Sequence, residues 1–89
     1  MVLTERLRFL RESAELSARG ADRVVGLHPN HWAALEIGRW APKTETALAI
    51  ATAFGASFEW LVFGTGKAPS PRKIRASVAS AKPRKSKAA

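Results

Sequence analysis

The side chains with the richest hydrogen-bonding chemistry fall in one short stretch, His28-Pro29-Asn30-His31, with Arg19 before it and Arg39 and Lys43 after it. The Asn30 amide donates and accepts at once, the pattern that grips an adenine edge with two hydrogen bonds. His28 and His31 offer one donor or acceptor each in the neutral form, and the three cations suit phosphate oxygens. This is the chemistry of recognition rather than of bond making. No paired carboxylates, Ser/His/Asp set or glycine-rich phosphate loop is present, so no enzyme is expected. With no cysteine and two histidines, a zinc site lacks ligands, and no metal or other cofactor is expected.

These residues need a frame, and Ser17 to Gly38 reads as one. Ser17 is placed to cap a helix over about residues 18–25, and Gly26 to end it in a left-handed conformation. Leu27 follows as a buried plug. His28 and Pro29 open a second helix over about 29–37, with proline in the first turn, where a missing N–H costs nothing. Spacing turns Trp32 and Leu35 inward and leaves Asn30, Ala33 and Ala34 outward, and Gly38 ends the helix. Two short helices joined by a three-residue turn form the helix-turn-helix layout, whose second helix enters the DNA major groove. The first of these helices is weak: Gly20 costs about 1 kcal/mol relative to alanine, and Asp22 sits awkwardly close to the inward side.

The remaining elements supply a core. Residues 5–15 form an amphipathic helix capped by Thr4, with Leu7, Leu10 and Ala14 on one face. Phe9 falls off this stripe and reads as a lone surface aromatic. Pro42 holds 39–43 as a loop. A fourth helix over 45–54 shows Ala47, Leu48, Ile50, Ala51 and Phe54, and Ser57 caps a fifth that carries Phe58 through Phe63. Five short helices and no strand signal give an all-α domain over residues 1–66.

Charge divides the chain at the same place. Residues 1–66 carry seven basic and seven acidic side chains, while 67–89 carry eight basic and no acidic ones. That segment has no aromatic residue and reads as a disordered basic tail, although Ile74, Val78 and Ala81 have helical spacing. Arg72, Lys73, Arg75, Lys82, Arg84 and Lys85 are its expected phosphate contacts. No apolar run reaches the length of a membrane span, and the N-terminus lacks a signal-peptide core, so a cytoplasmic setting is expected.

Several ordered pieces resemble the phage-repressor/Cro type (XRE-like) helix-turn-helix family. They are RLRFLRE in the first helix, LS at 16–17, G-L-x-P at 26–29, W-x-x-L-E-x-G at 32–38, ALAIATAFGAS at 47–57 and FEWLVFGTG at 58–66. The resemblance implies a compact five-helix lambda-repressor-like domain and a repressor-like regulator binding double-stranded DNA, bacterial or phage-encoded and nucleoid-associated. It implies a homodimer, so that two recognition helices reach successive major grooves. By position it assigns Ser17, Ala18 and Arg19, then His28, Asn30, His31, Ala33 and Ala34, then Arg39 and Lys43, to the DNA-facing set. It pairs Arg11 with Glu36 as a structural ion pair. The chain departs from the family at Ala18, where a phosphate-binding glutamine is usual, and at Gly20 and Asp22, where glutamate and alanine are usual. On the recognition helix only Asn30 is a bidentate base reader, with Ala33 and Ala34 left to meet thymine methyls. The alternatives are a protein-interaction module, antitoxin-like or adaptor, using Phe9, Ile37, Trp40 and Phe63, and a non-specific nucleic-acid binder driven by the tail.

Overall fold

A computed structural model describes residues 1–81. Its elements are α1 (Leu3–Ser13), α2 (Ala18–Val25), α3 (His31–Glu36), α4 (Thr44–Phe54), α5 (Phe58–Phe63) and α6 (Pro71–Ser80), with no strand among the described residues. Leu7 and Leu10 of α1, Val25 of α2, Trp32 and Leu35 of α3, Ile50 and Phe54 of α4, and Leu61 of α5 share one buried cluster. The Trp32 and Phe54 rings meet at 5.4 Å between centroids, which ties the centre of α3 to the end of α4. Two inward readings therefore hold, at Trp32 and Leu35.

Helix ends follow local chemistry. Ser17 Oγ accepts from the Gly20 N–H at 3.0 Å, and Ser57 Oγ accepts from the Trp60 N–H at 3.0 Å. The α1 start differs from expectation: the helix begins at Leu3, and the Glu5 carboxylate, not Thr4, accepts from the Val2 N–H at 3.0 Å. Arg6 is buried, and its guanidinium donates to the carbonyls of Leu61, Val62 and Met1. It thereby satisfies carbonyl groups that the end of α5 leaves without helical partners. Phe9 is also corrected, since it packs half-buried against the core with its ring edge-on to Trp60 at 6.1 Å.

The largest correction is α6. The segment expected as a disordered tail from residue 67 contains a ten-residue helix packed on α1 and α4. Ser70 Oγ accepts from the Lys73 N–H at 3.1 Å, and Pro71 occupies the first turn. Ile74 is fully buried, Val78 and Ala81 pack against the core, and Ser77 Oγ donates to the Ala53 carbonyl at 3.1 Å. Composition misleads here because this helix builds no core of its own. One isoleucine and two small apolar neighbours suffice when α1 and α4 already offer an apolar surface. Lys82, Arg84 and Lys85 lie outside the described residues.

Candidate nucleic-acid interface

The α2–turn–α3 unit is held together by a carboxylate. Gly26 takes φ +89°, and the N–H groups of Gly26 and Leu27 both return to the Asp22 carbonyl at 2.8 Å, closing the end of α2. The Asp22 side chain then crosses to the next element. Oδ2 accepts from the Asn30 N–H at 3.0 Å and Oδ1 from the Trp32 N–H at 2.7 Å. Asp22 is 3% exposed. The residue that looks awkward in a one-helix reading is thus the cap of the following helix, supplied across the turn rather than by a local side chain.

The start of α3 is corrected accordingly. Pro29 lies in the turn, and Asn30 precedes the helix in the left-handed region at φ +70° with its own side chain making no capping bond. Asparagine is among the few non-glycine residues that occupy this region readily. The Asn30 amide is therefore left for another partner, and the residue is exposed. Six residues make α3, which ends where Gly38 takes φ +83° and the Arg39 N–H returns to the Ala34 carbonyl at 2.9 Å.

Glu36 fixes the far end of α3. Arg11 Nε donates to Oε1 at 2.8 Å and Arg11 Nη2 to Oε2 at 2.9 Å, a two-pronged grip from α1. Trp32 Nε1 adds 2.8 Å to Oε1, and Arg8 Nε adds 3.2 Å to Oε2. The Arg11 hydrogen bonds, helped by Trp32 and Arg8 against the cost of burial, hold the Glu36 carboxyl down to about 2. The same contact raises the Arg11 guanidinium. Arg8 and the indole donor were not among the expected members of this cluster.

The expected contact residues fall into four groups. His28, Asn30, Arg19, Arg39 and Lys43 are exposed, and His31 and Ala33 are half-exposed. Ser17 is exposed but its hydroxyl oxygen already serves the α2 cap. Ala34, expected outward, is 8% exposed, and its carbonyl accepts from the Arg39 N–H of the loop beyond α3 at 2.9 Å. In the last group Arg72, Lys73 and Arg75 are exposed on α6, where Arg75 Nη1 donates to the Ser13 carbonyl at 3.3 Å, beside the α1–α2 corner.

Trp40, named above for an apolar interaction surface, lies beside this set. It is 53% exposed, and the His31 ring stands perpendicular to it with centroids 5.6 Å apart. Among the described residues no group of three or more His, Cys, Asp or Glu could hold a metal ion, and no helix is long and apolar enough to cross a membrane. A family model described as a helix-turn-helix domain matches residues 2–59. No curated protein and no solved structure matches the chain.

Proposed function

Because the chain belongs to the helix-turn-helix domain family and so carries the DNA-binding fold of a regulator, we propose that it is a repressor-like transcriptional regulator that seats α3 in the major groove. The observation that carries this reading is the exposure of the Asn30 amide at the head of α3, with exposed Arg19, Arg39 and Lys43 around the same unit. Asn30 and His31 would meet base edges and the three cations phosphates. Arg72 and Lys73, with Lys82, Arg84 and Lys85 beyond them, would add phosphate contacts to a body whose first 66 residues are electrically neutral. Two copies would place two α3 helices one helical turn of DNA apart.

The test uses the full chain and a duplex enriched from a random library, compared with random duplex over a salt series. Asn30→Gly is the informative variant, since glycine tolerates the φ of +70° and removes only the amide. It should weaken the enriched duplex by about 1–3 kcal/mol and leave random duplex unchanged. Equal weakening on both would take Asn30 away from the bases.

A second reading, a protein-interaction module, draws on the exposure of Ile37 and Trp40. Phe9 gives it no support, because that ring is committed to Trp60.

A further inference from the structure

Of the six large apolar side chains left exposed among the described residues, two follow α3 directly: Ile37 at 70% and Trp40 at 53%. Trp40 forms part of an open hollow of about 380 Å³, whose lining also includes Pro29, Asn30, His31, Ala34 and Arg39. The perpendicular His31 ring props the indole in place. No carboxylate lines the hollow, while an arginine and an asparagine do. A lining that is apolar within and free of negative charge suits a polyanion that presents small apolar groups.

Duplex DNA is such a partner. Hydrogen-bond readout from α3 itself is thin, because Asn30 at its head is the one bidentate reader there, and Arg39 beyond it is assigned to phosphate in the reading above. The one apolar, base-specific group in the major groove is the C5-methyl of a pyrimidine, present on thymine and absent from cytosine. Ala34, buried on α3, gives the hollow a floor without polar side-chain atoms. We propose that the hollow between Trp40 and the Pro29–His31 turn seats a pyrimidine C5-methyl group in the major groove. Sequence preference in this protein then rests on apolar contact as much as on the Asn30 amide. The inference depends on the DNA-binding reading above. Thymine and 5-methylcytosine carry the same group, and either can fill the seat.

The experiment takes the duplex enriched by the full chain and resynthesises it in three forms: with thymine, with uracil in every thymine position, and with uracil plus 5-methylcytosine for cytosine. Uracil should weaken binding about fourfold for each methyl seated, the equivalent of one buried methylene. Weakening by uracil assigns the seat to thymine, while no change with uracil and tighter binding of the third form assign it to 5-methylcytosine; both support the hollow. Trp40→Ala, an exposed loop substitution whose melting temperature should match the parent, should bind the thymine and uracil forms alike. Equal binding of all three forms by the unsubstituted chain overturns the inference and leaves DNA binding intact. Full methyl discrimination persisting in Trp40→Ala overturns the assignment to this hollow. If no duplex is enriched at all, the DNA-binding reading itself fails and Trp40 belongs to a protein interface.

Discussion

Asp22 and Glu36 bracket α3, one carboxylate at each end, and neither acts through its own helix alone. Both Asp22 oxygens are occupied by N–H groups at the head of α3, so those donors are taken by the protein before any phosphate arrives. Asp22→Ala leaves the buried Trp32 N–H and the part-buried Asn30 N–H without their acceptor and should lower stability by about 2 kcal/mol, seen as a fall in melting temperature of roughly 10–15 °C. Asp22→Asn keeps the shape but turns one acceptor into a donor facing an N–H, and should cost nearly as much. Wild-type stability in both variants would show that the cap is idle. Glu36 makes a pH-dependent contribution. Its folded pKa lies near 2, below the ordinary carboxylate value, so its stabilisation is complete above about pH 5 and is lost as pH falls toward 2. Glu36→Gln should flatten the acid limb of the stability–pH curve within that window, and an unaltered limb would assign acid unfolding to other carboxylates.

At the scale of elements, α6 changes what counts as the folded unit. Ile74 is fully buried against α1 and α4, so Ile74→Ala should destabilise the domain by about 3 kcal/mol. A solvated tail would show no effect in the same urea titration. The close approach of α4's end to α6 points the same way. Gly55 has φ +73°, and a Cβ there would lie 3.0 Å from Ser77 Cβ. Gly55→Ala combines backbone strain with that contact and should cost more than the roughly 1 kcal/mol expected for left-handed alanine alone. The helical spacing of Ile74, Val78 and Ala81 was visible in the sequence. Their packing was not, because composition measures whether a segment can bury itself, and α6 is buried by its neighbours. The α3 start was misplaced for a related reason. Pro29 is a good first-turn residue locally, but the acceptor that sets the first turn sits eight residues earlier in the chain, on α2.

For the whole molecule, the charge distribution fixes the expected behaviour on DNA. The neutral first 66 residues and the basic remainder predict binding that weakens with salt mainly through the C-terminal cations. Removing residues 82–89, which hold Lys82, Arg84, Lys85 and Lys87, should reduce the salt slope by up to about 3–4 and leave the melting temperature unchanged. A slope that does not move would place the phosphate contacts on α2, α3 and the loop beyond. The same separation explains what was legible. Sequence alone determined the all-helical class, the order of the two helices about the Gly26 turn, the inward Trp32 and Leu35, the Ser17 and Ser57 caps and the placement of charge, because each depends on periodicity or on neighbours within one turn. Only the tertiary structure decided that Asp22 caps α3, that four donors converge on Glu36, that Ala34 is covered, that Trp40 stands beside His31 and that α6 completes the core. Those outcomes depend on which surfaces meet across the fold, and contacts between residues distant in sequence leave no local period to read.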